Sequence, residues 1–302
     1  MTRYAEQQRR TLIFVVLFFI FLTATIGAIG YRSYRNFEAQ ARADTERWLS
    51  VVANAKADAV AAWQNNLLDY AGFIHENQAF SSAVTAYLQN AQDLEARTHI
   101  LDELQAVQRR DEIDGIALLN LQGKNLLSLP AEVSTPAPAI LQKIPEALQT
   151  RQIVFVDFYR ATDTQRVHLA VLVPIANANL VVGVVVLRVD PQVRLYPVLA
   201  REIADIPTMQ TFLARRAGDQ AVILSPSPFN PDAALNLQIP IGQTETLEVK
   251  AVLGQTGIIE GADYRGVATI ADVRVTPQGW VLVTQTSVAK MYDSMRVYFG
   301  RT

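Results

Sequence analysis

Residues 152–190 read QIVFVDFYRATDTQRVHLAVLVPIANANLVVGVVVLRVD, and this stretch decides the fold. It contains three runs rich in valine, isoleucine and aromatic residues, at about 152–159, 166–175 and 180–189, separated by short polar segments. β-Branched and aromatic residues in short runs bounded by turn-forming residues are typical of strands. We therefore predict three consecutive strands of an antiparallel sheet.

Alternation of side chains divides these strands into two faces. One face is entirely apolar, which suits burial against helices: Val154, Val156, Phe158, Val167, Leu169, Val171, Val173, Val181, Val185, Leu187 and Val189. The other face mixes a hydrophobic floor with polar groups, the composition expected of a small-molecule pocket. Its polar side chains are the predicted ligand-binding residues: Asp157, Tyr159, Arg166, His168 and Arg188.

The register of the three strands follows from the lengths of their connections. A tight turn at residues 177–179 would place His168 opposite Arg188, and a loop over residues 160–165 would place Asp157 opposite His168. The three side chains would then form one row across neighbouring strands. A cross-strand ladder of opposite charges at the rim of the sheet would give the same row with little stabilisation. The sequence leaves both interpretations open.

The flanking segments complete an α+β domain, predicted over residues 111–204. Residues 113–129 contain two short apolar runs around a Gln122-Gly123 turn, and residues 130–150 hold a short helix. After the three strands, Asp190-Pro191 predicts the start of a helix, with aspartate as N-cap and proline at the first helical position. Helices followed by a five-strand meander and a returning helix indicate a PAS-like domain.

A long helical region precedes this domain, at residues 32–110. Apolar residues recur there at steps of three and four, the spacing of one helix face. They are Trp48, Val52, Ala55, Ala59, Trp63, Leu67 and Tyr70. We predict one helix to about residue 89 and a second over residues 92–109. Because the stripe is longer than one small domain needs, we predict a parallel homodimer through residues 37–70.

Residues 12–31 are predicted to form a transmembrane helix continuous with this region. They carry no charge, and about twenty residues of helix reach roughly 30 Å, the thickness of the hydrocarbon core. A cleaved signal peptide is the alternative, because Arg9 and Arg10 precede the run and small residues follow near its end. Arginines flank both ends, so the positive-inside rule gives no orientation. We expect residues 1–11 to be cytoplasmic, the helix to lie in the inner (plasma) membrane and residues 32–290 to be extracytoplasmic.

A smaller second domain follows, predicted over residues 205–286. TFLARRAGDQAVIL, residues 211–224, is typical of a hairpin, and a loop rich in proline, serine and asparagine covers residues 225–236. Three further strands are predicted near residues 257–264, 267–275 and 280–286. Residues 287–302 are predicted to be helical.

The second domain carries a recognisable arrangement of residues. A hairpin with Arg-Arg-x-Gly-Asp is followed by Gly-x-x-Gly-x-x-x-Gly-x-Asp-Tyr-Arg-Gly and then by a Pro-x-x-Trp strand. The positions are filled by Arg215, Arg216, Gly218, Asp219, Gly254, Gly257, Gly261, Asp263, Tyr264, Arg265, Gly266 and Trp280. This pattern resembles the double Cache sensors of bacterial transmembrane histidine kinases and diguanylate cyclases, over residues 191–290 and in outline over the first domain.

The resemblance implies two PAS-like domains on a long helix outside the membrane, then a second transmembrane helix and cytoplasmic output domains beyond residue 302. Double Cache domains that bind amino acids carry an Arg-x-Trp-Tyr run and a fifth-strand aspartate that takes the ligand ammonium. This sequence has no such run, and the aspartate position falls on Arg188. Because a guanidinium favours anions, the implied ligand is a small carboxylate or another anion.

Other functions find little support in the sequence. Ser287-Val288-Ala289-Lys290 matches a Ser-x-x-Lys acyl-enzyme pattern without its companion motifs, and the three histidines are too scattered for a local metal motif. The absence of cysteine excludes disulfides and thiolate sites. Lysine and arginine number 27 against 29 acidic residues, which argues against a nucleic-acid partner. The run Asp263–Gly266 is interpreted as turn chemistry.

We therefore expect a non-enzymatic sensory module without cofactor, catalytic residues or metal. Its expected partners are a small-molecule ligand, a membrane and a second copy of the chain. A ligand would shift the sheet of the first domain, and paired helices would carry the movement across the membrane. Two alternatives stay open: a membrane-anchored extracytoplasmic hydrolase, and a structural dimerisation module that binds no ligand.

Overall fold

The computed structural model describes residues 2–109, 112–130, 136–178, 180–201 and 209–291, with side chains in the first helix at residue 18 and from residue 20 onward. The chain falls into two compact units, residues 1–48 with 288–302 and residues 49–287. The second unit holds both sheets. Of the helix predicted over residues 287–302, Ser287 instead ends a strand, residues 288–291 are helical, and residues 292–302 lie outside the described residues.

Three helices come first: α1 (Thr2–Glu76), α2 (Gln78–Gln89) and α3 (Leu94–Gln108). The prediction of one helix to residue 89 is wrong, because Asn77 interrupts it. The Asn77 side chain accepts a hydrogen bond from the backbone N–H of Phe80 at 3.0 Å and caps α2. Such a cap satisfies a helix-end donor that would otherwise have no partner.

The predicted transmembrane segment lies within α1, but the side chains of residues 12–17 and 19 fall outside the described part of the structure. In the part of the chain that is described, no helix combines the length and the apolar character needed to cross a membrane.

The apolar face of α1 packs on domains of the same chain. Its buried side chains between residues 49 and 74 include Leu49, Val52, Ala53, Val60, Trp63, Leu67, Ala71 and Ile74. Of the predicted stripe, Val52, Trp63 and Leu67 belong to this face, whereas Trp48 and Ala55 are exposed. Cores of both domains cover the face. The length of the stripe therefore no longer argues for a twin helix, and the homodimer stays a prediction.

In the described residues, the first sheet has five antiparallel strands, with α4 (Pro138–Thr150) between the second and the third. The strands are β1 (Ile113–Leu119), β2 (Asn125–Leu129), β3 (Val154–Arg160), β4 (Val167–Asn177) and β5 (Leu180–Val189). Their order is β2-β1-β5-β4-β3, so the predicted meander is wrong. Residues 183–189 of β5 are all buried, and a strand buried on both faces lies at the centre of a sheet.

The two faces are confirmed for β4 and for β5 from Gly183 onward, whereas a bulge before Gly183 places Val182, predicted on the mixed face, against the helices. Val171, Val173, Val185 and Leu187 pack against α1, α2 and α3. The opposite face packs against α4 through Ala170, Leu172, Val184 and Val186.

The predicted faces of β3 are wrong, because a bulge lies between Val156 and Tyr159. Val154 and Val156 lie on the α4 side, and Phe158 packs on the opposite side. A bulge adds one residue to one strand and so exchanges its two faces. Beyond the bulge, Tyr159 lies on the α4 side, which is the face predicted for it.

The predicted register is wrong as well. Ala170, rather than His168, lies opposite Arg188, and Tyr159, rather than Asp157, lies opposite His168. The turn between β4 and β5 is one residue shorter than predicted, and a bulge near it adds one residue. The β4–β5 pairing is therefore displaced by two residues, which keeps His168 and Arg188 on the same face.

Asp190 does not cap a helix. Residues 191–194 form turns, and α5 (Leu195–Ala200) begins after them. The Asp190 carboxylate instead accepts a hydrogen bond from the backbone N–H of Gln192 at 2.9 Å and pairs with Arg166 at 2.6 Å. These two partners satisfy the carboxylate in place of helix N–H groups.

In the described residues, the second sheet has six strands in the order β8-β7-β6-β11-β10-β9. They are β6 (Gln210–Ala217), β7 (Gln220–Ile223), β8 (Gln238–Pro240), β9 (Gly257–Ala262), β10 (Ala268–Val275) and β11 (Val281–Ser287), with α6 (Leu247–Val252) between β8 and β9. The hairpin and the three later strands are confirmed, whereas β8 and α6 were not predicted. One core joins Trp280 and Leu282 of this domain with Phe158 of the first domain and Trp63 of α1.

Candidate ligand site

Arg188 lies near the end of β5 and is only 8% exposed. Its Nε donates to Asp114 Oδ1 at 2.9 Å, and its Nη1 donates to Asp163 Oδ2 at 2.7 Å. Burial lowers the pKa of Arg188, but the hydrogen bonds to these carboxylates outweigh burial and hold the pKa above its ordinary value. The site therefore contains a fixed positive charge.

Asp114 joins Arg188 to His168. It sits at a bulge in β1, and its Oδ2 lies 2.8 Å from His168 Nε2. Burial alone would raise the pKa of Asp114. The hydrogen bonds from His168 and Arg188 outweigh burial, so the pKa lies below the ordinary value of an aspartate. The other ring nitrogen of His168 lies 3.1 Å from the carbonyl oxygen of Arg166. We call Asp114, Asp163, His168 and Arg188 the Arg188 network.

Tyr159 stands beside this network on β3, opposite His168, with ring centroids 6.3 Å apart. The residue is 7% exposed, and its hydroxyl has no hydrogen-bond partner among the described residues. Burial raises the pKa of the hydroxyl, so it stays protonated and can donate. A buried polar group without a partner costs about 1–3 kcal/mol.

A cavity of about 30 Å³ brings Tyr159 and Arg188 together under α4. It is lined by Gly115, Ala117, Pro136, Ala137, Ile140, Tyr159, Ala161, Thr162, Asp163, Val186 and Arg188. This volume holds roughly one water molecule. The cavity has an apolar body and one charged end, the chemistry of a site for a small anion.

The five predicted ligand residues do not all lie at the cavity. Tyr159 and Arg188 line the cavity, and His168 supports Arg188 through Asp114. Arg166 lies outside the cavity lining and pairs with Asp190 at 2.6 Å. Asp157 turns toward the second domain at the β3 bulge.

Two members of the network were not predicted. Asp114 follows a strand residue at a bulge, and Asp163 lies in the loop between β3 and β4, so neither falls on a periodic face. The predicted charge ladder takes another form here, since Arg188 binds carboxylates from β1, which pairs with the other edge of β5, and from a loop, rather than from β3. The signal available in the sequence was an aspartate inside an apolar run, IDGIALL.

A metal centre is not favoured by the same groups. Asp114, His168 and Asp190 offer ligand atoms within 4.8 Å of one another. Each of the two carboxylates already binds a guanidinium, of Arg188 or Arg166. A divalent cation would meet these positive charges at short range, so the cluster is better described as an ion-pair network.

Asp157 links the first domain to the second. It forms an ion pair with Arg215 and accepts a hydrogen bond from Trp280 Nε1 at 2.8 Å. The Trp280 ring also packs on Phe158, with centroids 4.9 Å apart. Two residues of the Arg-Arg-x-Gly-Asp and Pro-x-x-Trp motifs therefore hold β3, two positions before the cavity residue Tyr159.

Lys56 ties α1 to the segment that leads into the second domain. Its Nζ donates to the carbonyl oxygen of Val198 at 2.6 Å and to that of Arg201, at the end of α5. Burial, followed by the charge of Arg201, lowers the pKa of Lys56 to about 8. A cation at the carbonyl end of a helix is stabilised by the unpaired carbonyl groups there.

Comparison with known proteins identifies the fold. The sensor domain of the histidine kinase DctB of V. cholerae matches with a TM-score of 0.60 and 12% identity, over 82% of this chain and 98% of that one. The ligand-binding domain of the Pseudomonas aeruginosa PAO1 amino acid chemoreceptor PctB, in complex with L-Gln, matches with a TM-score of 0.53 and 15% identity, over 81% and 92%. The sensory domain of the Campylobacter jejuni chemoreceptor Tlp3, with isoleucine bound, matches with a TM-score of 0.55 and 12% identity, over 84% and 97%.

No protein-family model matches the sequence, and no curated protein is similar to it. The likeness to the solved structures is thus the evidence from known proteins, and it establishes the fold alone. The chain has the architecture of the double Cache sensor domains, as the resemblance implied.

Proposed function

We propose that this chain is the extracytoplasmic ligand-sensing part of a membrane signalling receptor, and that its first domain binds a small carboxylate under α4. The observation that carries the proposal is the Tyr159 hydroxyl, which is buried without a partner in the cavity that Arg188 also lines. A ligand oxygen would supply the missing partner, and buried polar groups in native proteins nearly always have one.

The chemistry of the cavity selects a carboxylate. Arg188 and Tyr159 are both donors, and a carboxylate offers two acceptor oxygens. Arg188 contributes a charge-assisted hydrogen bond, which is about twice as strong as a neutral one. His168 and Asp114 fix the position of the guanidinium, so little side-chain freedom is lost when a ligand binds.

The solved structures of similar fold support a ligand of this kind. PctB and Tlp3 are described with L-Gln and isoleucine, and both of these ligands carry a carboxylate. In this chain Arg188 is the group suited to that carboxylate. Recognition of the ligand's ammonium by a fifth-strand aspartate is not part of the proposal, because Arg188 occupies that position.

The signal would leave the cavity along β3. Tyr159 lines the cavity on one side of the bulge, and Asp157 on the other side is held by Arg215 and Trp280 of the second domain. A ligand that displaces Tyr159 would therefore also displace Asp157 and change its contacts with Arg215 and Trp280. Lys56 of α1 binds the end of α5, which leads into the second domain. A ligand needs only to bind one arrangement of these elements better than the other.

The membrane anchor at residues 12–31, the inner-membrane location and the homodimer belong to the same proposal. The charge-free run supports the anchor. Trp48, Val51 and Phe73, which are large apolar side chains exposed on α1, support a contact with a second copy. The output domain would lie in another part of the receptor.

The substitution Tyr159→Phe tests the carboxylate site in the purified full chain. We expect acetate, lactate or succinate to raise the Tm, while acetamide, lactamide and succinamide do not. Calorimetry should show affinity for the bound carboxylate falling roughly three- to tenfold in the variant, the value of one neutral hydrogen bond. The stability of the ligand-free variant should not fall, because the hydroxyl has no partner to lose.

Tyr196→Phe is the matched control. The Tyr196 hydroxyl is also buried but donates to the carbonyl oxygen of Leu224 at 2.9 Å. This variant should lose about 1 kcal/mol of stability and keep its affinity for carboxylates. If Tyr159→Phe instead loses stability and binds as tightly as the wild type, the hydroxyl is structural and the cavity is not the site. A chain that binds none of the probes would support the structural dimerisation module.

A further inference from the structure

We infer that Asp163 is an internal competitor of the ligand: its carboxylate occupies the place on Arg188 that the ligand carboxylate takes, and binding exchanges one for the other. The inference rests on the proposed function and specifies how its site opens. It starts from the 2.7 Å contact between Asp163 Oδ2 and Arg188 Nη1 at the charged end of the cavity.

The size of the cavity requires that something move. A volume of about 30 Å³ holds roughly one water molecule, and any carboxylic acid anion is larger than that. Most of the lining belongs to the sheet and α4, which are packed together in one core. Asp163 differs, because 39% of its side chain is exposed. A charged group that already faces water can leave an ion pair at small cost.

The loop that carries Asp163 is fixed at its ends, and its tip is held by two hydrogen bonds at exposed residues, from Gln165 Nε2 to the carbonyl oxygen of Thr162 at 3.1 Å and from the Arg166 N–H to Thr164 Oγ1 at 3.3 Å. The Ala161 N–H donates to the carbonyl oxygen of Arg166 at 2.9 Å, and Arg160 Nη1 donates to the carbonyl oxygen of Gln165 at 2.7 Å. The hydrogen bonds described for the Asp163 side chain are with Arg188 and with the backbone of Thr164 in the same tip. Release of Arg188 therefore requires movement of the Asp163 side chain, while the loop keeps the hydrogen bonds at its ends.

Charge balance limits which ligand can replace Asp163. Arg188 faces two carboxylates, of Asp114 and Asp163. A ligand carboxylate that displaces Asp163 leaves the number of charges around the guanidinium unchanged. A neutral ligand would leave Arg188 with one fewer anion in a partly dry site, and a cation would add repulsion. The exchange therefore favours small carboxylates over amides, amines and alcohols.

The contact between Asp163 and Arg188 in the ligand-free protein also lowers the affinity for the ligand. A ligand that binds only when Asp163 has moved away has an apparent affinity reduced by the fraction of molecules in that state. Removal of the charge at residue 163 should raise this fraction. Asp163→Asn keeps the shape of the side chain and weakens its hold on Arg188, so ligand affinity should rise.

Calorimetry on the purified full chain with acetate, lactate and succinate tests the exchange. We expect Asp163→Asn to bind the preferred carboxylate about tenfold more tightly than the wild type, the loss of one charge-assisted competitor. Asp163→Ala should act in the same direction, and Asp163→Glu, which restores a carboxylate, should return the affinity toward the wild-type value. The matched control is Asp232→Asn, an exposed aspartate of the second domain with the same change in net charge.

The outcomes separate this inference from the proposed function. If the wild type binds a carboxylate and Asp163→Asn binds it with equal or lower affinity, Asp163 is not a competitor, while the carboxylate site stands. If Asp232→Asn gains as much as Asp163→Asn, the effect is one of net charge and the exchange is rejected. If neither the wild type nor any variant binds a carboxylate, both the site and the exchange are rejected.

Discussion

The two domains each contain acidic side chains grouped around an arginine, and the two clusters are built in opposite ways. In the first domain Arg188 binds Asp114 and Asp163, which are 74 and 25 residues away in sequence. In the second domain Arg265 binds Asp263, two residues away, in the turn between β9 and β10. The first cluster borders a cavity, and the second closes a turn.

The second cluster satisfies its groups locally. Asp263 accepts hydrogen bonds from the backbone N–H groups of Arg265 and Val267, and Gly266 adopts a φ of 81° between them. Arg265 also lies over the Phe229 ring, 3.6 Å from its centroid. These contacts bear out the interpretation of Asp263–Gly266 as turn chemistry. The comparison shows that an ion pair between residues close in sequence closes a turn, whereas one between distant residues holds separate segments of a domain together.

Removal of the two arginines should show the largest difference between the clusters. Arg188→Ala leaves Asp114 and Asp163 without their cation, and breaking a buried ion pair costs about 3–5 kcal/mol. The exposure of Asp163 places the expected loss near the lower value. Arg265→Ala leaves Asp263 with two backbone donors, so we expect a loss of about 1 kcal/mol. Chemical denaturation of both variants measures the two losses, and equal losses would remove the distinction.

The pH dependence of stability should have opposite signs in the two clusters. In the second domain Glu248 adjoins the Asp263 turn, where its Oε1 accepts a hydrogen bond from the Tyr264 N–H at 3.3 Å. Glu248 is 1% exposed, and burial raises its pKa from 4.5 to about 7. Because the folded state holds this proton more tightly, the contribution is complete below pH 4.5 and is lost as pH rises to 7. In the first domain the pKa values of Asp114 and Asp163 are lowered, so their contribution is present above the unfolded pKa and is lost as pH falls.

Glu248→Gln isolates the effect in the second domain. The wild type should lose about 3 kcal/mol relative to this variant between pH 4.5 and 7. Denaturation at a series of pH values measures the difference. Glu245→Gln, whose side chain is 91% exposed, should run parallel to the wild type. A flat difference between wild type and Glu248→Gln would show that Glu248 ionises at its ordinary pKa.

The smallest expected effect concerns the turn itself. Gly266→Ala places a side chain at a φ of 81° with open space around it, so backbone strain alone should cost about 1 kcal/mol. Gly242→Ala, also in open space and without a positive φ, should be neutral. Neither substitution should change carboxylate binding. A change in binding with Gly266→Ala would place the second cluster in the recognition process and break the comparison.

The sequence determined the features that depend on neighbouring residues. Alternation gave the correct faces of β4 and of β5 from Gly183 onward, because side chains of a strand alternate whatever the strand pairs with. The turn at Asp263–Gly266 followed from residue types that bond their own backbone. Tyr159 and Arg188 were predicted on the face where the structure has them, and both line the cavity.

Tertiary structure alone decided the rest, because it depends on pairing between distant segments. The bulge in β3 turned Asp157 away from the cavity and toward Trp280, and no local pattern marks a residue that is left unpaired between two strands. β5 returned beside β1, which brought Asp114 to Arg188, and a loop outside every periodic pattern supplied Asp163. A sequence shows which side of a strand a residue occupies, but which charges meet there depends on strand order and register, which burial of the whole sheet determines.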